Sequence, residues 1–526
     1  MTFKPRTSSI ARKISALALL LLLCSGAAQA KTVLLYHTSD MHGSYVAEGK
    51  SSDPRSKKGG LAAYAAQARQ EKLPVLFLDS GDWFQGTPEG NLQHGAQAVQ
   101  LFNRLGMGAA TVGNHDYDFG EDNLRALISS AAFPVVNCNI YDRNTGQRPA
   151  YFRPWAIVDF HGVKIGVTGA IDHTVASGLS DRLSHLDIRE EADDVEKAVR
   201  EMEKAGAQFF VVLTHMGIYR NCKEMQHYDC QTGDLIRSSG TLAIARRLQG
   251  KPALILGGHK HMLLQDGFFD RASGVWLGES GSNLKNFTRA ELRFDDATGK
   301  FKGLKLQARE ILPSRDGEDP QMLAALRAVQ KLAGEDLDTV IGASAQKLPR
   351  DYTASDSSLT DWITDVYRKR FKTELAFMQG SGVRNDLPAG PLTVRDVYNA
   401  LPYDNEIFLV SVSGRDILKA LEYNHDYRGK NHLRFSGMEA VYSVDPAGKL
   451  LGVDAFVDGK PLDPKRHYSA AINGYLLSGA AFGEPFLNAR DKHDTGLNVR
   501  QPLIEEIKEI GTITPPTAVR NREIQR

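Results

Sequence analysis

The stretch Val33-Leu34-Leu35-Tyr36-His37-Thr38-Ser39-Asp40-Met41-His42-Gly43 decides how this chain is read. An apolar run of strand character passes straight into Asp-x-His-Gly, a turn that combines a carboxylate, an imidazole and a glycine. The same plan recurs along the chain. Pro74 to Leu78 leads to Gly81-Asp82, Ala109 to Val112 to Gly113-Asn114-His115-Asp116, Phe209 to Leu213 to Thr214-His215, and Ala253 to Leu256 to Gly257-Gly258-His259-Lys260-His261. Pro134 to Val136 and Lys164 to Thr168 are further apolar runs of this kind. Between the runs, Leu61 to Lys72, Ala96 to Leu105, Glu121 to Ala131, Glu191 to Ala205 and Thr241 to Leu248 space their apolar residues near a helical repeat. That alternation predicts a layered α/β domain with a largely buried sheet.

In open α/β sheets, ligands gather beyond the carboxyl ends of the strands. Here five strand ends each deliver a carboxylate, an imidazole or an amide oxygen. A nitrogen and oxygen donor set without sulfur suits paired divalent ions of the zinc, manganese or iron kind. Taken singly, each residue would more ordinarily be a surface or satisfied core side chain. Their coincidence at strand ends is what carries the metal reading.

Working outward, a polar stretch from Pro313 to Pro320 breaks the pattern, and Gln321 to Ala333 reads as a connecting helix. A second domain begins near Thr339. It mixes helices (Ser357 to Phe371, Val394 to Leu401, Arg415 to Asn424) with strands (Leu375 to Met378, Ile407 to Val412, Glu439 to Val444). Asp458-Gly459, after the run Val453 to Val457, has the composition of a tight hairpin turn. The expected division is a leader over 1–30, a first domain over 31–312, a linker helix over 313–338 and a second domain over 339–526. At 526 residues the chain exceeds the roughly 250 to 300 at which single cores tend to split.

The balance of charge is +1, with no long basic run, so a nucleic-acid polymer is not an expected partner. Lys4, Arg6, Arg12 and Lys13 precede the apolar run Leu17 to Leu23, and Ala28-Gln29-Ala30 follows. That is the plan of a cleavable secretory signal cut after Ala30, and it predicts a periplasmic or secreted protein. A retained anchor is the competing reading, but the run is shorter than the roughly 20 residues that span a bilayer, so no stable membrane insertion is expected. Cys222 and Cys230 lie close enough in sequence for a local disulfide in an oxidising compartment, the alternative being two free thiols. Cys138 reads as a buried core thiol.

The series Asp-x-His-Gly, Gly-Asp, Gly-Asn-His-Asp, Thr-His and Gly-His-x-His resembles the calcineurin-like metallophosphoesterases. The second domain resembles the C-terminal domain of the 5′-nucleotidases. Leu359-Thr360-Asp361-Trp362-Ile363-Thr364-Asp365 stands where that family has Leu-Gly-Asn-Leu-Ile-Thr-Asp. Gly380-Ser381-Gly382-Val383-Arg384 stands for Gly-Gly-Gly-Ile-Arg, and Leu401-Pro402-Tyr403-Asp404-Asn405 for Leu-Pro-Phe-Gly-Asn. The resemblance implies a four-layer α/β/β/α metallophosphoesterase sandwich followed by a smaller α+β substrate-binding domain. It implies two divalent ions, zinc or manganese, with Asp40, His42, Asp82 and His261 on one and Asp82, Asn114, His215 and His259 on the other. His115 is then the catalytic imidazole and Asp118 the carboxylate that orients it. Arg384 takes the place of a phosphate-binding arginine, Tyr403 and Tyr475 that of the aromatic pair around the base, and Asn405 a further substrate contact. Asp116, where the family often has Glu, is given no role.

Two departures bear on substrate. Gln379 replaces the family's Asn, and Ser478-Gly479-Ala480-Ala481 replaces its ribose-binding Gly-Gly-Asp-Gly, leaving a methyl at Ala481 where a carboxylate would accept from a diol. The implied function is an exported phosphohydrolase acting on nucleoside 5′-monophosphates or related small phosphate esters. A cyclic-nucleotide phosphodiesterase, another phosphomonoesterase or a sulfur-oxidation hydrolase of the same fold are alternatives within that chemistry. A catalytically silent nucleotide-binding or surface adhesion protein is the alternative of a different class.

Overall fold

The computed structural model describes residues 31–49, 54–178, 183–217, 240–333, 335–351, 356–426, 433–479 and 483–526. The expected leader over 1–30, the pair Cys222 and Cys230, and Ala480 and Ala481 lie outside the described residues.

Two sheets face each other in the first domain. One runs Phe301–Glu310, Asn286–Phe294, Lys31–Thr38, Val75–Asp79, Met107–Ala110; the other Phe268–Asp270, Val275–Glu279, Ala253–Gly257, Phe209–His215, Val163–Ile171, Trp155–Phe160. Lys31–Thr38, Val75–Asp79 and the edge strand Met107–Ala110 run parallel, as do Val275–Glu279, Ala253–Gly257, Phe209–His215 and Val163–Ile171 in the other sheet, and the remaining pairings are antiparallel. Alternate residues explain the layering. Val33, Leu35, Leu76, Leu78, Val211, Leu213, Leu254 and Leu256 fill the space between the sheets. Tyr36 and Phe77, one position out of phase, pack under helices Leu61–Gln70, Ala96–Leu105 and Glu121–Ser130. Phe210, Val212 and Ile255 pack under helices Glu191–Lys204 and Gly240–Arg247 on the other side. The result is the expected four-layer α/β/β/α sandwich.

The expected strand Pro134 to Val136 is instead a pair of isolated bridges, Ala110 with Val135 and Val136 with Arg153. Pro134 has no N–H for a ladder. Beyond Gly257 the first domain adds strands Phe268–Asp270, Val275–Glu279, Asn286–Phe294 and Phe301–Glu310, which the sequence pattern does not predict. Helix Pro320–Ala333 buries Met322, Leu326 and Val329 in the core of the first domain.

The second domain is built on a sheet ordered Leu433–Ser436, Leu375–Gln379, His467–Asn473, Glu406–Ser413, Arg490–Asn498. Helices Ser358–Phe371 and Gly414–Asp426 pack on it. At the predicted hairpin, Leu450–Val457 turns back through Asp458 and Gly459 at φ 49° and 70°. That is the pair of left-handed residues a two-residue turn between twisted strands needs. No helix among the described residues is long and apolar enough to cross a membrane.

Candidate metal centre

Asp40, Asp82, His215 and His259 stand at or just beyond the C-terminal ends of strands from both sheets, so the sandwich itself brings them together. The backbone there is unusual. Asp40, His42, Asp82, His259 and His261 all have φ between 48° and 72°. Non-glycine residues rarely adopt this region, and such conformations persist only where surrounding structure imposes them. Gly113 shows how tightly: a Cβ there would lie 2.2 Å from Asp82 Oδ1 and 2.6 Å from His215 Cε1.

Hydrogen bonds fix the loops. The carboxylate of Asp116 accepts from the backbone N–H groups of Asp82 and Trp83 at 2.9 Å each and of Gly113 at 2.7 Å. It thereby ties two site loops into one unit. The motif alone assigns Asp116 no role, and its position at the end of Gly-Asn-His-Asp is the available signal. The N–H of His259 donates to both oxygens of Asp40 at 2.9 and 3.0 Å. The rings are oriented through their outer nitrogens: His42 Nδ1 lies 2.7 Å from Gln85 O, and His215 Nδ1 lies 2.8 Å from Ser80 O. Each Nε2 is then free to face inward, the usual arrangement for a metal-ligating imidazole.

Inside, donors crowd together. Donor atoms of Asp40, His42 and His261 lie within 4.8 Å of one another, as do those of Asp40, Asp82 and His215. His42 Nε2 is 3.1 Å from His261 Nε2 and 3.7 Å from Asp82 Oδ2, and His261 Nε2 is 3.5 Å from Asp40 Oδ1. Two nitrogens bound at about 2.1 Å to one ion stand about 3.0 to 3.4 Å apart. His215 Nε2 sits 3.2 Å from Asp82 Oδ2 outside hydrogen-bond geometry, and Asn114 Oδ1 is buried with no hydrogen-bond partner. Buried acceptors left so are costly unless a cation serves them. Burial pushes Asp40 up to about 7 and pushes His42 and His261 down to about 4 and about 2. The rings of His42 and His261 are thus held neutral, the form that ligates metal, whereas at His215 burial is outweighed by Asp82, which raises that ring to about 10. The residues present fit a pair of divalent ions.

His115 is half-buried beside this cluster, its ring centroid 5.6 Å from that of His42. Its Nδ1 is 2.9 Å from Asp118 Oδ2. Burial works against charging the ring, but Asp118 and Asp82 outweigh it and raise His115 to about 9.

The second domain reaches the same place. Tyr403 stacks on His115 with centroids 5.0 Å apart and planes at 24°. The Arg384 guanidinium lies 5.6 Å from the Tyr403 ring centre, and its charge is among the influences that depress His42, His115 and His261. Asn405 follows in the same loop, its carbonyl accepting from Val499 N at 2.9 Å. Tyr475 lies half-buried on the short helix Gly474–Leu477.

Residues 33–263 match the calcineurin-like phosphoesterases, and residues 340–483 match the 5′-nucleotidase C-terminal domain. The chain is 26% identical over 496 residues to protein UshA of Yersinia enterocolitica, covering 86% of each chain. It is 25% identical over 482 residues to a 5′-nucleotidase of Vibrio vulnificus, covering 84% of each. A solved structure, the 5′-nucleotidase precursor of Thermus thermophilus, superposes on 94% of this chain and 99% of its own with a TM-score of 0.78 at 25% identity.

Proposed function

Because this chain belongs to the 5′-nucleotidase family and is a metal-dependent phosphoester hydrolase, we propose that it releases phosphate from nucleoside 5′-monophosphates at a dinuclear centre, outside the cytoplasm and after loss of residues 1–30. The observation that carries this reading is the convergence of Asp40, His42, Asp82, Asn114, His215, His259 and His261 at the ends of strands from both sheets, with His115 and Arg384 beside them. Asp40, His42, Asp82 and His261 would hold one ion, and Asp82, Asn114, His215 and His259 the other. Zinc and manganese both suit these donors. Ions held by these residues would supply Lewis acidity and lower the pKa of a water for in-line attack at phosphorus.

The remaining steps belong to side chains. Asp118 accepts from His115 Nδ1–H, which fixes the tautomer and stabilises the ring when charged. His115 Nε2 then serves as donor to the phosphoryl or leaving oxygen. The planar fork of Arg384 suits a phosphate group, and Tyr403 offers a flat face to a base or other ring. Ala481 removes an acceptor for ribose hydroxyls, which favours a substrate gripped through phosphate and ring.

The test is phosphate release by the mature protein, loaded with manganese or zinc. The substrates are nucleoside monophosphates, a 2′,3′-cyclic nucleotide, a nucleotide sugar and an aryl phosphate. Nucleoside monophosphates are expected to be turned over best, and His115→Ala to lower kcat by about 10² to 10⁴ with metal content intact. Silence of the loaded protein across the panel would sink the reading in favour of a binding role, and better turnover of the aryl ester would move the substrate class away from nucleotides.

A further inference from the structure

One side chain of the first domain has its whole amide engaged in joining the metal loops to the second domain. Asn91 closes the short helical turn Pro88–Asn91. Its Oδ1 accepts from Gly86 N at 3.2 Å, and the preceding carbonyl, of Gln85, is the one that orients His42. Its Nδ2 donates to Asp404 Oδ2 at 2.9 Å and to Pro402 O at 3.3 Å, on either side of Tyr403. Gly86 itself admits no side chain, since a Cβ would fall 2.5 Å from His42 O. The turn is therefore pressed against a ligand loop at one end and the Tyr403 loop at the other.

The far side of that loop is equally fixed. Asp404 pairs through Oδ1 with Arg500, which is 1% exposed and also donates to Leu401 O at 2.8 Å and Tyr403 O at 2.9 Å. The Arg500 guanidinium rests over the Tyr398 ring at 4.0 Å. Within the same turn of the first domain, buried Glu89 pairs with Arg395 of the second. Asp404 stands where the resembled family has glycine, so the carboxylate that completes the chain belongs to this sequence.

We propose that Asn91 is a positioning residue: through Asp404 and Arg500 it sets the Tyr403 ring over His115, and so fixes the slot for a planar part of the leaving group, such as the base of a nucleoside. This rests on the reading of His115 and Tyr403 as the leaving-group side of the site. Only an amide fits the position, because one atom must accept from Gly86 and the other must donate to a carboxylate. An aspartate there would place two carboxylates against each other.

The test is a charge exchange read in two ways. For the manganese-loaded protein, Asn91→Ala is expected to raise KM for a nucleoside monophosphate about tenfold, the worth of one such hydrogen bond to a charged group. Asn91→Asp should be worse than Asn91→Ala, and the double variant Asn91→Asp with Asp404→Asn should lose less than the two single variants' losses combined, because donor and acceptor across the contact change places even though Arg500 gives up its carboxylate and Pro402 O its donor. The melting temperatures of the wild type, the two single variants and the double variant should show the same coupling, which needs no turnover. If Asn91→Asp is no worse than Asn91→Ala, or the melting temperatures show no coupling, the link does not exist. Wild-type silence on every ester would count against the proposed function instead, and the melting cycle would still decide for or against the link. Coupling in stability without coupling in KM would overturn the positioning role.

Discussion

Gly113 is the place where a single methyl group should cost the most. A Cβ would have to share space with Asp82 Oδ1 at 2.2 Å and with the His215 ring, and neither can retreat. Asp82 is 1% exposed, and its N–H is tied to Asp116, while His215 is fully buried and tied to Ser80. Gly113→Ala should therefore displace two of the proposed ligands together and leave the distant core untouched. We expect bound metal, measured by emission spectrometry, to fall well below that of the wild type, phosphate release to drop at least about 100-fold, and far-ultraviolet circular dichroism to match the wild type. Full metal content in the variant would show that the donors of Asp82 and His215 do not act through their positions here. At the same scale, residue type alone accounts for the choice of ligands, whereas the job of Asp116 does not follow from its chemistry. A buried carboxylate can be a ligand, a base or a tie for backbone N–H groups, and only its three short bonds to Asp82, Trp83 and Gly113 distinguish these.

Among the elements, helix Ser358–Phe371 carries an unusual burial. Asp361 is 4% exposed, and burial raises its carboxyl to about 7, with Arg520 at 4.0 Å and Arg434 pulling the other way and Asp356 and Asp365 adding to the rise. A raised carboxyl means that the folded protein holds a proton which the unfolded chain gives up from about pH 4 upward. Its contribution to stability is then fully present below pH 4 and is lost as the pH rises to about 7. Asp361→Asn removes this dependence while leaving Arg520 its ion pair with Asp365. The urea midpoint of the variant, relative to wild type, should accordingly rise between pH 4.5 and pH 7.5. A difference that stays constant with pH would mean that the carboxyl is not held protonated. The elements also mark where local pattern fails. Helix Ala96–Leu105 ends where its residues say it should, because Gly106 takes the left-handed conformation at its C-terminus. Pro134 to Val136 looks equally strand-like, but it has partners only at single bridges.

For the whole molecule, every residue assigned to the ions lies in the first domain, drawn from loops of both sheets, whereas Arg384 and Tyr403 approach from the second. Binding of ions should stabilise the first domain by mass action, by about 4 kcal/mol at a free concentration a thousandfold above Kd. Calorimetry of the chelated protein should show one transition moved down in temperature and restored by manganese or zinc, and an unmoved transition after verified removal of metal would contradict the placement of the ions. The sequence by itself determined the layered α/β class, the second domain's mixed elements, the hairpin at Asp458-Gly459 and the residues able to bind metal, because these depend on periodicity, turn chemistry and donor type, all local properties. Only the tertiary structure decided which donors face one another, that helix Pro320–Ala333 packs into the first core, that Asp116 braces two loops, and that Asn91, Asp404 and Arg500 carry Tyr403 to His115. Asn91 and Asp404 are 313 residues apart in the chain. No local pattern can encode a contact of that kind, since it exists only after two separately formed cores have met.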